Sequence, residues 1–199
     1  MEKDTLTQDL VGDDQVDRTL SISCRPTLTW NSWTVPYNIT GTMVYTQTGS
    51  NPQMGQIVDP SSGDINLRNM PNNSNYNDNV DIYMTLDTSG LVDHDGNPIS
   101  GRWALSGEGT MPGMGAAWFI NPPPVGGPID YTPIPNPTGM SIDRQSDALV
   151  VIDDDTGLGT PTYAFCTGLV LPGFDNYFMA FEPLISGKGK GGNSFMLKE

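Results

Sequence analysis

The stretch Val80-Asp81-Ile82-Tyr83-Met84-Thr85-Leu86 alternates apolar and polar side chains, then stops at Asp87-Thr88-Ser89-Gly90. Successive side chains of a β-strand point to opposite faces, so this pattern describes a strand with one buried face, ended by a turn. Val80, Ile82, Met84 and Leu86 are expected in the core, and Asp81, Tyr83 and Thr85 are expected to be more exposed. The same period recurs upstream. From Thr19, the residues Leu20, Ile22 and Cys24 alternate with polar neighbours; Pro26 interrupts the run, and Leu28 and Trp30 resume it. Trp33 to Tyr45 reads as a strand with Val35, Tyr37 and Ile39 on one parity, bent near Gly41.

Between these runs lie turn-forming clusters. Gln47 to Met54 reads as a loop, and Gln56 to Leu67 as a hairpin around Pro60-Ser61-Ser62-Gly63. Asn69 to Asn79 carries six Asn and one Pro, which reads as an exposed loop. Downstream, Arg102–Ser106, Ala116–Ile120, Met140–Ile142, Ala148–Ile152, Tyr163–Leu171 and Tyr177–Phe181 read as further strands, and Phe195–Leu197 as a last short one. Asp81–Leu91 and Asp147–Leu158 faintly echo one another as strand-turn units. No segment has an apolar period of 3.6. The fold expected is therefore all-β: a single-domain β-sandwich or jelly-roll-like barrel with long Asn/Gly/Pro-rich loops. Residues 1–18 read as a flexible acidic arm and 19–199 as the sandwich. The Pro-rich connection 121–137, with seven Pro, either crosses one end or links two halves.

Composition agrees with a β fold. Among the 23 acidic residues only Glu2, Glu108, Glu182 and Glu199 are glutamates, and the remaining 19 are Asp. Asp favours turns and caps, whereas Glu favours helix interiors. The net charge of −14 repels nucleic-acid phosphates and anionic membranes. The polar start, Met1 to Asp9, has no apolar core of a secretory signal, and no apolar run is long enough to insert into a bilayer. The chain therefore reads as cytoplasmic as written, with non-classical export open. Cys24 and Cys166 read as two buried thiols rather than a cross-sheet pair.

Catalytic groups are scarce. The single histidine, His94, lies in the turn Asp93-His94-Asp95-Gly96-Asn97, and there is no Gly-x-Ser-x-Gly elbow. The chain lacks the several Cys or His ligands a zinc site uses. Asp93, Asp95 and Asn97 alternate oxygen ligands as Ca²⁺ would require, ahead of Asp153-Asp154-Asp155, whose neighbours cannot all point one way from a strand. Trp33, Trp103 and Trp118 could stack on sugar rings if exposed, though most Trp in a sandwich is core. Glu108 and Glu182 are the one carboxylate pair in the apolar body suited to glycoside chemistry. The leading expectation is a non-enzymatic sandwich acting through self-assembly or contact with another protein, as in virions, inclusions or toxin components. The alternatives are a carbohydrate-binding module, Ca²⁺-dependent or not, and a glycoside-active enzyme using the two glutamates.

Overall fold

The computed structural model describes residues 15–70, 75–123, 128–145, 148–153, 162–182 and 184–186. Strands make up 52% of the chain and helix about 2%, and two sheets pack against one another without closing into a barrel. The first sheet holds β1 (Val16–Ser32), β2 (Asn38–Asn51), β4 (Tyr76–Leu86), β7 (Met140–Arg144) and β8 (Ala148–Asp153), in the order β2-β1-β4-β8-β7. The second is organised around β9 (Thr162–Leu171). β10 (Tyr177–Phe181) and β11 (Leu184–Ser186) pair with β9, as do β5 (Arg102–Trp103) and β6 (Ala117–Ile120); β3 (Ile65–Asn66) joins beyond β11. The chain passes from sheet to sheet, and among the described residues only the pairings β1–β4 and β3–β11 are parallel.

The period-2 reading of β4 holds. Val80, Ile82 and Met84 are buried between the sheets, and Leu86 packs partly buried against them. Asp81 and Tyr83 are half-buried and Thr85 is exposed. β8 lies antiparallel beside β4, with Ile82 opposite Val151 and Met84 opposite Leu149. The two strands that echo one another in sequence are thus neighbours, although the second turn falls outside the described residues. Phe119, Phe165, Leu169, Leu171, Met179 and Phe181 close the core from the second sheet. A fully buried aliphatic or aromatic side chain of this kind contributes roughly 1.5–3 kcal/mol.

Several boundaries differ from the sequence reading. β1 begins at Val16, and Arg18 is buried, so the strand reaches into the segment read as an arm; residues 1–14 lie outside the described residues. β1 also runs unbroken through Pro26. The Asp87 N–H donates to the Cys24 carbonyl, so Cys24 and Pro26 turn their backbone groups toward β4, and β4 ends opposite Cys24. The missing N–H of Pro26 therefore costs no ladder bond. Trp33 to Tyr37 is a bend rather than strand, and β2 continues through Gln47 to Asn51. Tyr76 to Asn79 belong to β4 rather than to an Asn-rich loop, because the segment pairs with β1 from Val16 opposite Tyr76 to Arg18 opposite Val80; the Tyr76 hydroxyl also donates to Asn51 (2.6 Å), and Asn77 bonds Asp17 of β1. Residues 71–74 and the expected strand Phe195–Leu197 lie outside the described residues. The hairpin at Val58–Ile65 forms as read.

The second sheet is covered on both faces, which explains why β9 is apolar at both parities. Ala164, Cys166, Trp118 and Ile120 face away from the first sheet, and Met111, Met114 and Tyr131 cover them. The Trp118 indole N–H donates to the Tyr131 carbonyl (2.9 Å), and Ile134 N–H donates to Phe119 O (2.9 Å). The Pro-rich connection links the two sheets and on its way lays residues of 128–134 along the outer side of β6.

Candidate functional site

Three turns at one end of the sandwich bring a set of aromatic rings together. The first is the β1–β2 bend, where Ser32 Oγ donates to the Thr34 carbonyl (3.3 Å). The second is the small hairpin in which Val92 bridges Pro98. There Asp93 N–H donates to Asn97 O (2.9 Å), Gly96 N–H donates to Asp93 O (3.1 Å), and Gly96 takes φ 84°. This is a type I turn followed by a left-handed glycine, a geometry that a Cβ would strain. The third runs from Leu171 to Tyr177. Tyr177 N–H donates to Phe174 O (2.9 Å) across Asp175 and Asn176, both with positive φ (53° and 54°). Asp and Asn tolerate that conformation better than other side chains, which suits a type I′ turn.

The rings form a continuous row. His94 lies flat on Trp33, with centroids 5.1 Å apart and planes within 6°. Trp30 meets His94 at 6.1 Å and Phe174 at 4.7 Å, and Phe174 meets the edge of Tyr37 at 5.5 Å. The Trp30 indole N–H donates to the Val92 carbonyl (3.0 Å), tying the second turn to β1. The Tyr177 hydroxyl bridges to Ile39 of β2 on both N–H and carbonyl (3.2 and 3.1 Å), tying the third turn to the first sheet. Trp30, Tyr37 and Phe174 pack on the core, whereas Trp33 stays 56% exposed, beside Val35 at 70% and Val92 at 40%.

The structure separates the three tryptophans grouped in the sequence reading. Trp33 is at this tip. Trp103 (5% exposed) sits between the sheets and Trp118 (3%) beneath the Pro-rich connection, so neither offers a face to a ligand. Trp30, Tyr37 and Phe174 were missed as site residues, because alternation marks Trp30 as core and spacing cannot show which turns meet. The turn composition around His94 was the available signal, since Asp-His-Asp-Gly-Asn places its second residue outward.

Asp93, His94 and Asp95 bring ligating atoms within 4.8 Å of one another. His94 Nε2 lies 3.3 Å from an Asp95 oxygen. Asp93 Oδ1, however, already accepts from the N–H groups of Asp95 and Asn97 (2.9 and 2.8 Å), and the Asn97 amide reaches both of its oxygens. The Asn97 side chain, then the backbone N–H groups, hold this carboxyl below its usual range. These bonds make Asp93 the acceptor that shapes the turn. Asp59, Asp87 and Asp130 do the same for Ser61, Ser89 and Thr132. Asp153 ends β8, and Asp154 and Asp155 lie outside the described residues.

Glu108 is clamped. Both Arg102 Nη atoms donate to it at 2.6 Å, and so does Leu105 N–H. Arg102 first, and Leu105 second, hold its carboxyl at about 2, which does not suit a general acid. Glu182 shifts the other way, raised by burial and then by Asp64, and its Oε1 is buried without a hydrogen bond among the described residues. The electrostatic neighbours of Glu108 are Arg102 and Arg144, and those of Glu182 are Asp64, Tyr131 and Cys166, so among the described residues no interaction links the two glutamates as a pair. Cys24 faces the inter-sheet core and Cys166 the opposite face of the second sheet. Both are free thiols, and burial pushes both up. A separate groove of about 230 Å³ lies between residues 104–106, 113–117 and Ile142 and Arg144 of β7, and half of its lining residues are Ala or Gly.

No helix among the described residues is long and apolar enough to cross a membrane. The chain matches no protein-family model, no curated protein and no solved structure.

Proposed function

We propose that this is a non-catalytic recognition protein that holds its partner on the aromatic tip. The observation that carries the reading is Trp33, which is 56% exposed, stacked on His94 and backed through Trp30 and Phe174 by the core. Large apolar side chains left outside a fold, gathered at one end on a rigid base, mark a contact surface. Four of the groups that would otherwise suggest chemistry are structural: Glu108 clamps Arg102, Asp93 closes its turn, and the thiols of Cys24 and Cys166 are buried. Self-assembly is a second reading, supported by Val35 and Val92, exposed aliphatic groups that suit a protein contact.

One binding experiment tests the tip. Wild type, Trp33→Ala and Val35→Asp are passed over an immobilised panel of oligosaccharides and over the immobilised wild-type chain itself. Wild type is expected to bind in at least one channel, and both variants to lose about tenfold or more in affinity, which is about 1.4 kcal/mol. A wild type that binds in neither channel, or variants that bind as wild type does, overturns the reading.

A further inference from the structure

We propose that the tip takes a neutral glycan, with one pyranose ring stacked on the open face of Trp33. This rests on the recognition reading above and adds the ligand class. Trp33 has one ring face covered by the parallel His94 imidazole, and no second ring of the described residues lies on the other. A planar, half-exposed indole held from behind is a preformed platform, so a ligand that stacks on it does not have to order it first. The C–H face of a sugar ring is a flat, weakly apolar surface that matches it.

The surroundings select hydroxyls. Asn31 and Asn38 are exposed beside the bend, where the Asn31 amide reaches Asn38 Oδ1 (3.4 Å) and Thr40 Oγ1 (3.3 Å) at long, easily exchanged distances. The Asp95 side chain is 67% exposed next to His94. Amides donate and accept and a carboxylate accepts, which together match the mixed donor and acceptor character of sugar hydroxyls. The carboxylates of the turns beside the platform, Asp93, Asp95 and Asp175, in a chain of net charge −14, disfavour sulfated or uronic-acid polymers. Size also decides. A stable protein contact covers about 800 Å² on each partner. The large apolar side chains exposed here are Trp33, Val35 and Val92, with the exposed Pro36, Pro98 and Pro172 on the same three turns, and a fully exposed aromatic offers only about 150–250 Å². The flat platform among them is Trp33 alone, which matches the size of one sugar ring.

The test uses the full chain and defined probes: hexasaccharides of β-1,4-glucose, α-1,4-glucose, β-1,3-glucose, β-1,4-mannose and β-1,4-N-acetylglucosamine, with a hexamer of alginate as the anionic arm. Binding is read by calorimetry and by tryptophan fluorescence. At least one neutral hexasaccharide is expected to bind and to change the emission. Trp33→Ala should weaken it about tenfold or more, and Trp33→Phe less, with unchanged thermal midpoints showing that both variants fold. The proposal is overturned if no neutral hexasaccharide binds at 10 mM or below, if alginate alone binds, or if Trp33→Ala binds as tightly as wild type. Trp33-dependent binding of the chain to itself, without glycan binding, would overturn the glycan assignment and leave the recognition reading standing.

Discussion

Replacing Glu108 by Gln removes a charge while nearly preserving shape, so it isolates the Arg102 clamp. Glu108 accepts three hydrogen bonds at 2.6 Å, two from the Arg102 guanidinium and one from Leu105 N–H. The Glu108 side chain is 23% exposed and that of Arg102 is 33%, so the pair stands between a buried and a surface ion pair. Hydrogen bonds to charged groups contribute about 1.5–3 kcal/mol, and exposed pairs contribute about 0–1 kcal/mol. A glutamine oxygen keeps one acceptor, so the expected loss at pH 7 is about 2 kcal/mol. With a urea slope of about 2–3 kcal/mol per molar, the unfolding midpoint should fall by about 0.7–1 M. The pH dependence follows from the direction of the shift. The folded-state pKa of about 2 lies below the ordinary carboxylate value, so the clamp's contribution is fully present above about pH 4.5. It is lost as pH falls toward 2, and wild type and variant should converge over that window. Urea titrations at pH 7, 4 and 3 measure the difference. A gap below about 0.5 kcal/mol at pH 7, or one that stays constant down to pH 3, would refute the assignment.

Ile82→Ala should cost about 2–5 kcal/mol, because Ile82 is wholly buried between the sheets; a loss under about 1 kcal/mol would mean that β4 presents its other face. Gly168→Ala would set a Cβ 2.1 Å from the Gly115 carbonyl oxygen and 2.8 Å from the Phe178 ring. It should cost about 3 kcal/mol or prevent folding, whereas Gly173→Ala, with nothing within 4 Å, should be close to neutral in the same thermal scan. Millimolar Ca²⁺ or chelator should move the thermal midpoint by less than about 1 °C, because the Asp93 carboxylate is occupied by its own turn; a Ca²⁺-dependent rise abolished by Asp95→Asn would contradict this. A thiol reagent should leave Cys24 and Cys166 unmodified in the native protein and label both in denaturant, and a native Cys24–Cys166 disulfide would contradict the placement of Cys24 in the core between the sheets and of Cys166 on the outer face of the second sheet.

Strands with one wet face were readable because burial on one side writes a period of two into the residues, as it does in β4 and in Leu20, Ile22 and Cys24 of β1. Their ends were less readable. Tyr76–Asn79 resemble a loop by composition, and what makes them strand is pairing with β1, a partner far away in sequence. Pro26 looks like an interruption until the end of β4 is known. The tip was only half legible. Turn chemistry marks His94 as outward, and Trp33 was already a candidate, but their parallel contact depends on how three separate turns converge. Trp103 and Trp118 were grouped with Trp33 because residue type alone does not carry depth. The covering of the second sheet by the Pro-rich connection was equally hidden, although the apolar run Ala164–Leu171, interrupted by Thr167 and Gly168, is what a strand buried on both faces requires.

The central position of β9 has a consequence for how the chain is made. β5 and β6 are complete early, yet their partner in the second sheet is β9, far later in the chain, and β3 waits longer still for β11. A nascent chain that has emerged through β6 presents Trp118, Phe119 and Ile120 with neither the strand that pairs with them nor the segment that covers them. Long-range closure of this kind folds slowly and leaves sticky intermediates. Synthesis that stalls ahead of Thr162 should therefore yield insoluble fragments rather than a smaller folded core. In a cell, holdase chaperones would be needed most over that interval.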